Sequence, residues 1–449
     1  MKVAKFGGSS LASAEQIAKV CDIVLSDPER RVIVVSAPGK RHAEDTKVTD
    51  LLIACADAKG LDNECAQELE RVAARFEEIR LGLGLSDELA QRIGADLQGR
   101  IRAGSEHPDR LRDSMKAAGE DNCAKLVAEA LGARGADARY VNPRHAGLLL
   151  SDEPGNAQVL PESYDNLSSL AESDAICVFP GFFGYTRDGD IATFPRGGSD
   201  ITGAILAAAL KAELYENFTD VDSVCAADPR ITPDARPITE LTYREMRELS
   251  YAGFDVFQEE ALIPVIHAGI PVCIKNTNRP EAPGTRISPT RKVAHGEIMG
   301  IASKDGFCTL FVSKYMMNRE TGFGRRLLQI VEEEGLSFEH MPSGIDDVSV
   351  IVRADSITPK AESRVIERVK RELAADVVRV ERGLGLIMVV GEGMCDTPGI
   401  ACRVTGALAR EGVNIEMLNQ GGSEVSLMIG LREGDIETAV RALHHEFSP

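Results

Sequence analysis

The chain has 449 residues, 43% hydrophobic and 27% charged, with a formal net charge of −19. This is enough for two or three globular domains, and the charge has the wrong sign for non-specific binding to nucleic acid or anionic membrane, although a few local cations still allow a small anionic substrate. The apolar runs fall short of a membrane span, the start MKVAKFGGSS reads as a first strand rather than a signal peptide, and ten cysteines and eight histidines without CxxC or metal-ligand spacing point to reduced thiols, a cytoplasmic chain and no structural metal.

The chain opens as strand–loop–helix–strand. Residues 1–6 and 31–36 (RVIVVS) are short apolar runs closed by Gly, Ser or Pro. Between them Ser13–Gln16 has the form of a capping box, and Ile17, Val20, Cys21 and Val24 give a helical stripe. Such units build parallel sheets with ligands at the carboxyl ends of the strands. The loop KFGGSS at 5–10 carries glycines that let backbone N–H groups approach an anion, Lys5 adds a full charge, and the following helix is expected to aim its positive end at the same place. From about residue 49 to 133 the pattern is nearly all helical, with ECAQELERVAARFEEIRLGLG and EDNCAKLVAEALGARG as amphipathic segments.

Strand-like runs return in ARYVN, GLLLS, AICVFP, ELYENFTD and PVCIKN, with helical ITGAILAAALKA and YREMRELSYAG among them. A second glycine turn, FPRGGSDITG at 194–203, again precedes a helix, with Ser199 or Asp200 expected to cap it and Arg196 beside Gly197 and Gly198. Two glycine turns, each with a cation and a helix amino terminus, can hold a phosphate chain from two sides, which suits phosphoryl transfer. Asp200 lies between them and is placed to orient Lys5. In NFTDVDSVCAADPR the pair Thr219 and Asp220 ends a strand, where a carboxylate can bind a nucleotide hydroxyl or a metal. NRPEAPGTRISP, rich in Pro and Gly, reads as the exit linker of an α/β domain over 1–290.

The last 150 residues or so repeat. Gly322 matches Gly399, Glu334-Gly335 matches Glu411-Gly412, Gly344 matches Gly421, and DVSV at 347–350 matches EVSL at 424–427, each at an offset of 77 residues. The expectation is two copies of one βαββ-type α+β unit, at 300–383 and 384–449.

In combination, K-F-G-G-S-S, Gly119-Glu120, R-G-G-S-D at 196–200 and F-T-D-V-D…D-P-R at 218–230 resemble the aspartate kinases of the amino-acid kinase family, and the repeat resembles their paired, ferredoxin-like ACT domains. The resemblance covers the chain in order. It implies transfer of phosphate from ATP, with Mg²⁺ on the nucleotide and no metal ligand from the protein, to the side-chain carboxylate of L-aspartate, opening the route to lysine, threonine and methionine. It implies that Lys5 neutralises the transferring phosphate and Asp200 organises Lys5. Gly7, Gly8, Ser9, Gly197 and Gly198 would face phosphate oxygens, with Gly198 and Ser199 also beside the substrate. Glu120 and Arg196 would bind the aspartate ammonium and α-carboxylate, and Thr49 would also contact aspartate. Thr219, Asp220 and Arg230 would face the nucleotide. Asp255 and Cys225 stand where many of these kinases carry a lysine and a tyrosine. The paired units would sense lysine or threonine, with Met317, Phe323, Glu339 and Asp346 as candidate effector residues in the first copy and Asn414 and Gln420 at the matching places of the second. The expected assembly is a homodimer or higher homo-oligomer through the paired units, whose sheet edges pair readily. With nothing after the repeat, no fused dehydrogenase is expected.

Overall fold

The computed structural model describes residues 1–58, 64–103, 107–254, 256–257 and 259–448. Asp255 lies outside the described residues. The chain forms two compact units. One comprises 1–224, 237–247 and 255–291; the other comprises 225–236, 248–254 and 292–449.

The strands and helices up to Ala209 are β1 (Lys2–Phe6), α1 (Ala14–Leu25), β2 (Arg30–Val35), α2 (Val48–Asp57), α3 (Glu64–Gly82), α4 (Asp87–Ala103), α5 (Pro108–Ala133), β3 (Ala138–Tyr140), α6 (Pro143–Ala146), α7 (Glu162–Ser168), β4 (Ile176–Pro180), β5 (Phe183–Tyr185), β6 (Ile191–Thr193) and α8 (Gly198–Ala209). Then follow β7 (Leu214–Thr219), β8 (Val224–Cys225), β9 (Pro237–Ile238), β10 (Glu240–Thr242), α9 (Tyr243–Tyr251), α10 (Glu259–Ala268), β11 (Val272–Asn276) and β12 (Thr285–Ser288). The first unit is built on an eight-stranded sheet in the order β10-β12-β11-β7-β1-β2-β4-β3. Every pairing is parallel except β11 with β12.

Strand alternation sorts β1 into two faces. Ala4 and Phe6 join Ile33, Val35 and Val178 in one core with the apolar stripes of α1 to α5. Val3 and Lys5 point to the other face, where α8 packs on β1 and β2. Lys5 is therefore directed toward α8 by the same two-residue period that buries its neighbours.

Three expectations change. GLLLS forms only isolated bridges at Leu149 and Leu150. NRPEAPGTRISP is not an exit linker, because its last third is β12. There Thr285 and Ile287 are buried while Arg286 is exposed, and the Thr285 hydroxyl donates to Ile238 O at 2.6 Å and accepts Val224 N–H at 2.8 Å. An alternation of four residues is too short to stand out beside three prolines and a glycine. Third, no α-helix directly follows the first glycine pair. Gly8–Leu11 is a 3₁₀ turn, and α1 starts only at Ala14, with Ser13 as its cap, accepting Gln16 N–H.

The second unit holds β13 (Gly300–Ser313), α11 (Phe323–Glu333), β14 (Phe338–His340), β15 (Asp347–Arg353), α12 (Pro359–Leu373), β16 (Val377–Val390), α13 (Ile400–Arg410), β17 (Met417–Gln420), β18 (Ser426–Arg432) and α14 (Ile436–Phe447). They form a six-stranded antiparallel sheet, β14-β15-β13-β16-β18-β17. The repeat anchors occupy equivalent points. Gly322 and Gly399, at φ 77° and 93°, precede α11 and α13, and Gly335 and Gly412, both at φ 72°, follow them. A non-glycine residue would be strained at all four. The copies are fuller than βαββ, since α12 and α14 complete each one. They also share their two longest strands. The second half of β13 serves the core that contains Leu327 and Val365, while its first half serves the core that contains Val404 and Val440.

Candidate active site

The site is assembled at the carboxyl ends of β1, β2 and β7, where the parallel strands stop together. Lys5 sits one residue before the end of β1. Its Nζ lies 2.5 Å from Asp200 Oδ1 in α8 and 3.4 Å from Asn217 Oδ1 in β7. Asn217 Nδ2 donates to the same Asp200 oxygen at 2.9 Å, and the buried Tyr215 hydroxyl donates to the Asp200 carbonyl at 3.1 Å. The ammonium is thus fixed from two elements. Asp200 lies inside α8, not at its cap: the cap is Gly197, at φ 84°, with no side-chain cap bond, and Ser199 is likewise within the helix.

The first glycine turn is fitted against β2's exit loop. Gly39 N donates to Gly8 O at 2.8 Å, and a Cβ on Gly39 would fall 2.6 Å from the Gly8 carbonyl carbon. The Gly7 N–H is already spent on Phe218 O at 3.0 Å. Gly8 and Ser9, which open the 3₁₀ turn, and Gly198 and Ser199, which open α8, carry amides with no acceptor inside their own helices. The Gly7 amide differs from these four in having a backbone acceptor. On the second turn, a Cβ at Gly198 would sit 2.6 Å from the Phe182 ring. Phe182 itself is held at φ 77°, a strained conformation of the kind that collects at functional sites.

A cavity of about 370 Å³ opens beside the second turn, lined by Lys5, Thr49, Lys116, Glu120, Arg196 and Asp200 among others. Glu120, in the middle of α5, is buried and its Oε2 has no hydrogen-bond partner among the described residues. Burial pushes its carboxyl up to about 8, against the pull of the Ala37 N–H. Arg196 is exposed on the loop before Gly197. A larger hollow of about 760 Å³ lies at the last turns of α5 and at β3, from Lys125 onward. Its cations are already paired, Lys125 with Asp121 and Arg92 with Glu129.

Thr219 and Asp220 lie at the end of β7. Thr219 O accepts Thr277 N–H at 2.9 Å, and Thr277 Oγ1 lies 2.7 Å from Ser10 Oγ, tying this loop to the first glycine turn. Asn276 bridges Asp220 O and Asp222. Arg230 and Cys225 are in segment 225–236, which belongs to the other unit, and Arg230 is paired with Asp228 at 2.7 Å. The structure therefore gathers Lys5, Thr49, Glu120, Arg196, Gly198, Ser199 and Asp200 around one cavity, with Gly8 and Ser9 on the loop after β1 and Thr219 and Asp220 at the end of the neighbouring β7. The motif reading missed Gly39, Lys116, Phe182 and Asn217. Only Gly39, in the SAPGK stretch after β2, carried a signal of its own.

In the second unit, Met317 and Phe323 are buried beside Lys314, whose ammonium lies 5.7 Å from the Phe323 ring centre. Asp346 accepts Met316 N–H at 2.7 Å. Glu339 accepts the Tyr251 hydroxyl, which also meets His340 Nε2 at 3.1 Å. Asn414 and Gln420 are exposed.

A strand-end site with two glycine turns, on a parallel-rich sheet followed by a tandem α+β unit, is the architecture of an amino acid kinase with a regulatory tail. A sequence model of the Amino acid kinase family matches residues 1–276, and one of the ACT domain matches 387–447. Aspartokinase 3 of Bacillus subtilis is 54% identical over 447 residues, spanning 100% of this chain and 98% of that protein. The crystal structure of Clostridium acetobutylicum aspartate kinase superimposes with a TM-score of 0.88 at 37% identity, covering 100% of both chains. E. coli aspartokinase III, solved with aspartate and ADP, gives 0.82 at 25% identity over 99% of both; solved with lysine and aspartate, it gives 0.78 at 26% over 100% of both. The chain belongs to the aspartokinase family and is an ATP-using kinase with an ACT regulatory region. No described helix is long and apolar enough to cross a membrane.

Proposed function

We propose that the protein transfers the γ-phosphoryl group of ATP to the side-chain carboxylate of L-aspartate, giving 4-phospho-L-aspartate, the first step toward lysine, threonine and methionine. The observation that carries the assignment of roles is the Lys5–Asp200–Asn217 cluster beside two sets of free helix-end amides. The acceptor is a carboxylate, ionised at neutral pH, so no general base is needed, and the cavity lining holds none beyond carboxylates already engaged or buried. The difficulty is an anion attacking a polyanion. Lys5 supplies a positioned charge on the transferring group, and the amides of Gly8, Ser9, Gly198 and Ser199 hold phosphate oxygens without reorganising. Asp200 and Asn217 keep Lys5 in place. Thr219 and Asp220 face the nucleotide.

Among the described residues no group of three His, Cys, Asp or Glu side chains could hold a metal. Mg²⁺ would arrive on ATP, its ligands phosphate and water, where it neutralises charge. Arg196 would take the aspartate α-carboxylate and Glu120 its ammonium; a cation in contact would restore the charged carboxylate that burial disfavours.

Lysine or threonine would act as feedback effector at the ACT region, through the Met317–Phe323 loop and Asp346. The lysine complex of E. coli aspartokinase III supports the former. The open edges of β14 and β17 expose Phe338 and Leu418, which supports a homodimer through these strands.

The test is ATP turnover with L-aspartate, trapping the acyl phosphate with hydroxylamine, with and without each effector. Hydroxamate from aspartate and not from glutamate, suppressed by lysine or threonine, is the expected result. Absence of hydroxamate with effectors still bound would overturn the kinase assignment in favour of a sensor.

A further inference from the structure

α5 brings two charges to the cavity, and the second has no assigned role. Lys116 lies one helical turn before Glu120, so both project from one face of α5, with Cβ atoms about 5–6 Å apart, and both line the cavity with Arg196. Asp113 is the ion-pair partner of Lys116, at 3.3 Å. That contact is the longest Asp113 makes. Its carboxylate already accepts Gly155 N–H, Thr193 N–H and the Thr193 hydroxyl, each at 2.8 Å. Asp113 is first a clamp on the end of β6, and only secondarily a counter-ion, so the ammonium keeps donors to spare. Because the clamp grips Thr193, three residues before Arg196, Lys116 is tethered to the same stretch of chain that carries Arg196.

A cation and a carboxylate one turn apart are the mirror of an α-amino acid head group, which carries a carboxylate and an ammonium on one carbon. We propose that Lys116 is a second cation for the α-carboxylate of the acceptor, acting with Arg196 while Glu120 receives the ammonium, and that it thereby selects an acceptor with an intact α-amino acid head. This rests on aspartate being the acceptor at this site.

The test compares wild type, Lys116→Gln and Lys116→Arg in the full chain, with L-aspartate and with L-aspartic acid α-amide, which keeps the side-chain carboxylate but lacks the α-carboxylate charge. Loss of one charge-assisted contact should raise the aspartate KM roughly 10- to 100-fold in Lys116→Gln, with kcat within about three-fold and the ATP KM unchanged; Lys116→Arg should recover most of the loss. The wild-type preference for aspartate over the α-amide should shrink in Lys116→Gln by the same factor as the KM rise. An unchanged aspartate KM, an undiminished preference, or a fall in kcat together with a lowered unfolding temperature would overturn the proposal and leave Lys116 as a prop for Asp113. If wild type yields no hydroxamate from aspartate, the acceptor assignment fails and this inference falls with it.

Discussion

The kinase unit carries three buried ion pairs that join distant parts of the chain: Lys5 to Asp200, Arg30 to Glu216 through two contacts of 2.6 and 3.0 Å, and Arg291 to Glu245 at 2.6 Å. In the tandem unit the densest set of pairs runs along helix surfaces. Arg364 and Arg368 of α12 meet Glu334 and Glu333 at the end of α11, and Arg371 meets Glu367 and Glu372 on its own helix. The difference follows from what each unit must hold. Phosphoryl transfer needs charges fixed in a dry place, where they are strong but costly to leave unpaired. A regulatory domain needs two arrangements of similar energy, and solvated pairs exchange partners at little cost.

The largest test of that contrast is Lys5→Ala. Removing the positioned cation should lower kcat roughly 10²- to 10³-fold while lysine or threonine binding, followed by calorimetry, persists. Retained turnover would show that the buried pair is structural only. Glu120→Gln should raise the aspartate KM roughly 10- to 100-fold, since a neutral amide cannot match the ammonium. Its pH signature is distinctive. The unfolded carboxyl titrates near 4.5 and the folded one near 8, so between those values the native state keeps a proton that the unfolded state loses, and stability falls as pH rises. Denaturant melts across this window should show that decline in the wild type and less of it in Glu120→Gln. An identical slope in the two would place the titration elsewhere.

Glu216→Ala leaves Arg30 buried without its partner and should cost roughly 3–5 kcal/mol in chemical denaturation. The smallest effect is expected from Arg368→Ala, since Glu333 and Glu372 are solvent-exposed and Glu334 keeps Arg364; its unfolding midpoint should match the wild type within error. A large loss there would erase the distinction between the units.

The chemistry at the strand ends was legible because glycines, a lysine and an aspartate cluster in short words. The partners were not. Asn217 and Tyr215 reach Asp200 from β7, and Gly39 reaches Gly8 from the far end of β2; these contacts exist only once the sheet order is set, and sequence does not display sheet order. Lys116 was invisible for a plainer reason: in MKAAGED it looks like any solvated helix charge until the fold turns that face of α5 inward. The bond from Gly7 N–H to Phe218 O was hidden in the same way as the other partners, since no spacing rule tells a loop glycine that donates to β7 from one that does not. The repeat was legible through its glycines, since four of them mark helix ends where the backbone turns left-handed. The shared strands were hidden: the boundary expected between the copies, at 383 and 384, falls inside β16.

Those shared strands lay the tandem unit out like a beam over two spans with a joint between them. β13 and β16 run 14 residues each, through both cores, and their registers slip at Lys304–Cys308, where Gly306 and Gly383 turn left-handed at φ 80° and 84°. Neither copy can be cut away at residue 383 and leave a whole sheet behind, so the duplication is one sheet with a built-in joint, not two sheets side by side.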